Sequence, residues 1–131
     1  ETMTEAEKAA REFWRLMATN DFGSVAAVLA PEFVLDWPQS GERVRGAKNF
    51  AAVNSEYPAN GPWKFEILRL FGGGTEAVSE VAVTDGAAKG RAISFFTVKD
   101  GRITKITEFW PEPYPAAANR AHLVERMQAG L

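Results

Sequence analysis

The sequence predicts one α+β domain in which helices cover an antiparallel sheet. Three observations carry this. Apolar residues recur at helical spacing through the first part of the chain, four long strand-like runs follow, and tight-turn signals join those runs. Helices and strands are thus segregated rather than alternating, which is the pattern of α+β folds. A length of 131 residues suits a single domain that buries a core and still leaves room for one pocket.

Thr4 and Glu7 have capping-box spacing, so a first helix is expected from about Glu5 to Thr19, with Ala6, Ala10, Phe13 and Met17 on one stripe and Ala9 and Leu16 beside it. Asn20-Asp21 breaks it, Asp21 caps a short helix from Phe22 to Leu29, and Pro31 stops that one. Phe33 to Trp37 alternates as a short strand ended by Pro38, and Arg43-Val44-Arg45 offers a return strand after the turn at Gln39-Ser40-Gly41-Glu42. Gly46 opens a third helix, Ala47 to about Tyr57, with Ala47, Phe50, Ala51, Val53 and Asn54 inward and Pro58 at its end. The four runs are Trp63–Phe71, Glu76–Thr84, Gly90–Lys99 and Arg102–Trp110. Gly72-Gly73-Gly74-Thr75, Asp85-Gly86 and Asp100-Gly101 join them as one antiparallel meander. In the first run Trp63, Phe65, Ile67 and Phe71 are set against Lys64, Glu66, Leu68 and Leu70. The third run is apolar on both faces, Ile93 and Phe95 against Ala92, Phe96 and Val98, so a second cover is expected opposite the helices, and a partner subunit would supply it. Pro111, Pro113 and Pro115 make an extended connector to a final helix, Ala116 to Gln128, striped by Ala117, Ala121, Val124 and Met127.

Composition excludes several classes. There is no Cys, hence no disulfide framework and no thiolate nucleophile. A net charge of -2 without a dense Lys/Arg cluster argues against a nucleic-acid partner. No apolar run approaches the ~20 residues of a membrane span, and the acidic start Glu1-Thr2-Met3-Thr4-Glu5 lacks a signal-peptide core, so a cytoplasmic protein without a membrane partner is the expectation. His122 is the one His and reads as a surface residue beside Arg126, so no His-cluster metal site is expected. Gly72-Gly73-Gly74 precedes a strand rather than a helix and lacks the amides that hold phosphate. No cofactor is expected.

The candidates for chemistry are carboxylates, because a desolvated Asp or Glu becomes a general acid or base. Ile106, Glu108 and Trp110 share one strand face, and if that face is inward, burial beside Ile106 and Trp110 is expected to raise the Glu108 pKa. Glu80 shares a face with Val78 and Ala82. If that face is inward, two carboxylates look into one cavity and either divide acid and base roles or share a proton. The competing reading for each is a solvated Glu, or one paired with Arg91 or Arg69. Phe13, Trp37, Tyr57, Trp63, Phe65, Phe96 and Trp110, with Met17 as an adaptable filler, are the expected lining, although at least half of them would serve equally as core. Such a lining favours a flat or cyclic apolar ligand.

The element order, together with Asn20-Asp21-Phe22-Gly23-Ser24 between helices, Phe33–Pro38 followed by Val44-Arg45-Gly46, and Lys99-Asp100-Gly101-Arg102-Ile103 with Ile106 and Glu108-Phe109-Trp110, resembles the nuclear transport factor 2-like superfamily. Within it the chain resembles the SnoaL-like and ketosteroid-isomerase-like proteins over roughly residues 4 to 110, which leaves 111–131 as a C-terminal extension. The resemblance implies a cone-shaped, cystatin-like, mostly antiparallel sheet with a pocket at its open end, and a homodimer through the convex face. It does not imply one activity. Against the isomerase pattern, Trp37 stands where the catalytic carboxylate is expected, Asp36 points the other way, Phe13 replaces the oxyanion-stabilising Tyr, and Ser94 falls near the second acid. The steroid-isomerase set is therefore missing. SnoaL-like cyclases place an Asp near Glu108, and Glu80, Arg91 and Glu108 offer a chemical counterpart of the Asp-Arg-Asp set of limonene-type epoxide hydrolases. Three functions follow: a cofactor-free isomerase, cyclase or dehydratase acting through Glu108 and Glu80 on a small apolar cyclic or carbonyl substrate; a non-catalytic carrier of a hydrophobic metabolite; and a domain that only pairs subunits.

Overall fold

The computed structural model describes residues 2–130, and the expected domain limits at Glu1 and Leu131 lie outside them. The chain forms α1 (Glu5–Met17), a 3-10 segment Phe22–Val28, β1 (Leu29–Trp37), β2 (Glu42–Arg45), α2 (Gly46–Ser55), β3 (Lys64–Gly73), β4 (Glu76–Thr84), β5 (Lys89–Lys99) and β6 (Arg102–Phe109). The strands make one curved, unclosed sheet in the order β2-β1-β6-β5-β4-β3. β3 to β6 are the expected antiparallel meander, whereas β1 joins β6 in parallel, so the sheet is mixed.

The Thr4–Glu7 capping box is formed in both directions and starts α1. Its buried stripe is wider than expected and includes Trp14, whose indole Nε1–H donates to Ser79 Oγ at 3.0 Å. α1 and α2 lie on the concave face over Phe33 and Leu35 of β1, Val81 and Val83 of β4, Ala92, Phe96 and Val98 of β5, and Ile103 and Ile106 of β6, all in one continuous core.

Four local expectations are corrected. Asp21 makes no side-chain cap to the second helical segment, which is 3-10 rather than α. Pro31 does not stop a helix but sits inside β1, where the pairing to β6 is irregular between Leu29 and Val34 and no ladder donor is needed from it. A bulge between Ile67 and Arg69 inverts the alternation of β3, turning Leu70 inward and leaving Phe71 58% exposed on the convex face. The final α-helix is absent: Ala118–Leu123 is a short 3-10 segment in an otherwise extended tail, and Leu123, Val124 and Met127 remain exposed. An isolated stripe with no surface to bury against does not meet the cost of nucleating a helix.

At the hairpins, Asp100 and Gly101 both take positive φ (53° and 77°), as a two-residue primed turn requires. β3 runs on through Gly73, so the first turn is only Gly74-Thr75. Gly72 stays close to β4: a Cβ there would fall within contact distance of the Glu76 carbonyl oxygen and 2.7 Å from Ala77 Cα, whereas one at Gly73 would meet nothing. Gly72→Ala should therefore cost about 1–3 kcal/mol in denaturant unfolding, while Gly73→Ala should stay within about 0.5 kcal/mol of the parent.

Candidate functional site

The concave face ends in an open cleft of about 1220 Å³. Its walls come from α1 (Phe13, Trp14, Met17), α2 (Phe50, Val53, Asn54), the connector to β3 (Tyr57, Trp63) and the sheet (Leu35, Trp37, Phe65, Glu108), with Trp110 to Pro113 along the mouth. Of the expected lining, Phe13, Met17, Trp37, Tyr57, Trp63, Phe65 and Trp110 border this space. Phe96 does not: it is 1% exposed and packs on Phe13 beneath the cleft, ring centroids 5.5 Å apart. Ser94 does not line the cleft either, yet it touches the polar group at its floor.

That group is Glu108, 6% exposed in a largely apolar setting. The parallel register Leu35–Ile106 and Asp36–Thr107 sets Trp37 of β1 beside Glu108 of β6, and the antiparallel register sets Ser94 of β5 on its other side. Trp110 follows two residues on, on the same face. Three neutral donors converge on the carboxyl. Trp37 Nε1 and Trp110 Nε1 both donate to Oε1, at 3.0 and 3.1 Å, and Ser94 Oγ donates to Oε2 at 2.7 Å. No Lys or Arg among the described residues pairs with it. Burial pushes the Glu108 carboxyl above its ordinary value, and the Trp37, Ser94 and Trp110 hydrogen bonds oppose that only in part.

Glu80 is corrected. Alternation along β4 sends Ser79 and Val81 inward, so Glu80 lies on the opposite, convex face. There Arg69 Nε and Arg91 Nη1 donate to it at 2.6 and 2.5 Å and hold its carboxyl below the usual range. Glu80 and Glu108 do not share a cavity, and the Glu80–Arg91–Glu108 set is not assembled around a common point. Asp36 also faces away from the cleft, bonded to Arg43 at 2.6 and 2.8 Å with Lys105 at 3.5 Å.

Asp85 escaped notice as more than a turn residue. It accepts from the backbone N–H of Asn60, Ala87 and Ala88, which lowers its pKa and ties the α2–β3 connector to the β4–β5 turn at the mouth. Asn54, Asn60, Lys89 and Glu112 add polar atoms there. The Asp-Gly pair signalled the turn, but nothing local to it signalled a contact with Asn60, 25 residues away.

Because the folded value of Glu108 is raised, the stability it contributes is fullest below its ordinary value of 4.5 and is lost as pH rises through the folded value. Glu108→Gln, which has no proton to lose, should gain stability relative to the parent as pH rises through that window and hold a constant advantage above it. Urea unfolding at a series of pH values checks this, and a difference independent of pH would show that the carboxyl is not perturbed.

Comparison with known proteins agrees with the geometry. Among solved structures, a candidate ketosteroid isomerase from Kribbella flavida is 33% identical, with a TM-score of 0.85 over 95% of this chain and 91% of that one. A nuclear transport factor 2-like protein of unknown function from Burkholderia xenovorans is 24% identical, TM-score 0.75, over 95% and 96%. An epoxide hydrolase of limonene-hydrolase type from Mycobacterium tuberculosis is 24% identical, TM-score 0.66, over 82% and 83%. The latter two show the shared fold alone. No protein of curated function matches significantly in sequence. The SnoaL-like domain model matches residues 10–106, from the first turns of α1 to the strand that carries Glu108, and the chain belongs to that family.

Proposed function

We propose that the cleft binds a small apolar, ring-containing or carbonyl-bearing molecule, and that Glu108 moves a proton on it without a cofactor, in an isomerase-, cyclase- or dehydratase-type reaction. The observation that carries this is a buried carboxyl at the floor of an aromatic cleft, whose partners among the described residues are all neutral donors. Such a group exchanges a proton more readily than a salt-bridged one. Ionised Glu108 takes a proton from carbon next to a carbonyl. The C–H electron pair becomes part of the enolate, whose charge rests on the carbonyl oxygen. Glu108, now neutral, returns the proton to carbon or oxygen of the product. The Glu80-assisted version and the epoxide-hydrolase version lose their support, since Glu80 is engaged by Arg69 and Arg91 on the other face.

The alternative is a carrier without turnover. Its support is that both indole donors are already spent on Glu108, which leaves neither to stabilise a substrate oxyanion. A thermal-shift and Trp-fluorescence screen of aromatic and terpenoid carbonyl compounds, followed by product analysis, separates the two. Enzyme chemistry predicts turnover that falls by about 10²-fold or more in Glu108→Gln with binding retained. Ligands that bind without conversion support the carrier, and turnover unaffected by Glu108→Gln would remove Glu108 from the reaction.

We further propose that two copies pair through the convex face. Phe71, Phe95 and Leu68 are 58%, 49% and 41% exposed there, and Phe95 stacks edge-on with Phe109 at 6.3 Å. Contiguous apolar exposure of this kind marks a contact surface. Light scattering should give a dimer for the parent and a folded monomer for Phe95→Glu, whereas a monomeric parent would refute the pairing.

A further inference from the structure

Resting on the reading of Glu108 as the proton-handling group, we infer that its exchangeable proton resides on Oε2 alone, and that Ser94 is the positioning residue that makes this so. The argument is an accounting of lone pairs. Oε1 accepts two hydrogen bonds, from Trp37 Nε1 and Trp110 Nε1. A carboxyl oxygen offers two in-plane acceptor positions, and an indole N–H only donates and cannot reverse. A proton on Oε1 would therefore confront one N–H or expel it, leaving a donor unpaired in a buried site. Oε2 accepts one bond, from Ser94 Oγ at 2.7 Å, and no other described donor reaches it.

Ser94 differs from the two indoles in filling one acceptor position of its oxygen by itself. When a substrate C–H proton bonds to the other position of Oε2, its electron pair stays with the substrate and Ser94 Oγ–H keeps donating to the first. Neither Trp has to move. Ser94 is held in place by its strand: it is fully buried and directly opposed to Glu108 on β6 and to Ser79 on β4, whose own Oγ is fixed by Trp14 Nε1. The second acceptor position of Oε2 takes no bond from any described donor, and Glu108 itself borders the cleft.

The charged groups around the cleft do not supply a competing partner. Asp85 at the end of β4 is held by backbone N–H groups, Arg91 on β5 is bonded to Glu80, and Asp36 of β1 is bonded to Arg43 on the far face. Lys89 and Glu112 sit on the lining without an ion pair to Glu108.

The test is a pH titration of the full chain by NMR, with ¹⁵N-indole and ¹³C-carboxyl labels and with Trp37→Phe and Trp110→Phe to assign the indoles. In the parent, both indole N–H signals should keep hydrogen-bonded positions on either side of the Glu108 midpoint. Ser94→Ala, which removes the one described donor to Oε2 and leaves Oε1 intact, should raise that midpoint by about 1–2 pH units. Ser94→Thr, which keeps the hydroxyl, should bring it back towards the parent value. Loss of either indole hydrogen bond on protonation would put the proton on Oε1, and an unmoved midpoint in Ser94→Ala would remove Ser94 from the role; either result overturns the inference. The parent's indole signals decide the matter even if Ser94→Ala does not fold. Absence of turnover in the ligand screen would instead refute the proton-transfer reading and leave this titration untouched, so the two failures are separable.

Discussion

The hydrogen bonds that converge on Glu108 tie together three strands of the sheet, β1 reaching β6 across 71 residues of sequence. Trp37 ends β1, Ser94 lies mid-way along β5, and Trp110 leads out of β6 into the tail. All three meet one carboxyl because β1 runs parallel to β6 while β5 runs antiparallel to it. A slip of one residue in either pairing would turn Glu108 or its partners to the opposite face. The buried acid is a burden on stability that only correct registration relieves, so the same contacts that make the cleft polar at its floor also specify the sheet.

Much of the fold was legible because its signals are local. The capping box at Thr4–Glu7, the Asp100-Gly101 turn and the alternation of β4 and β5 each state their geometry within a few residues. What was not legible depended on pairing across the chain. The bulge at Leu68 has no residue signature and moved Leu70 inward in place of Phe71. The face of Glu80 required knowing that Ser79, not Glu80, would meet Trp14. Alternation alone gives two faces and does not say which is covered. The extension failed as a helix for a related reason: Ala117, Ala121, Val124 and Met127 form a stripe, but a stripe drives folding only where a complementary surface exists.

The candidate site was half legible by the same rule. Glu108 between Ile106 and Trp110 could be assigned from period-two counting, and Trp37 from its place at a strand end beside Pro38. That two indoles would spend their only hydrogens on one oxygen could not, since it requires the β1–β6 register. Phe96 was an aromatic on the correct face but too far beneath the helices to reach the cleft, where Phe13 covers it.

Contrast among the carboxylates explains why one of them suits acid–base work. Asp36 and Glu80 face outward and are held ionised by guanidinium groups, and Asp85 is held ionised by three backbone N–H groups. Each has been given a reason to remain charged. Glu108 has been given burial, which favours the neutral form, and neutral donors, which favour the charged one. A group balanced between two such terms changes state at small cost, whereas a group fixed by a full opposite charge does not. An Arg in contact with Glu108 would have made a more stable ion pair and a poorer base. The proposed proton transfer thus draws on the lack of a cation bonded to Glu108 among the described residues, and the proposed preference for apolar, uncharged ligands draws on the same lack.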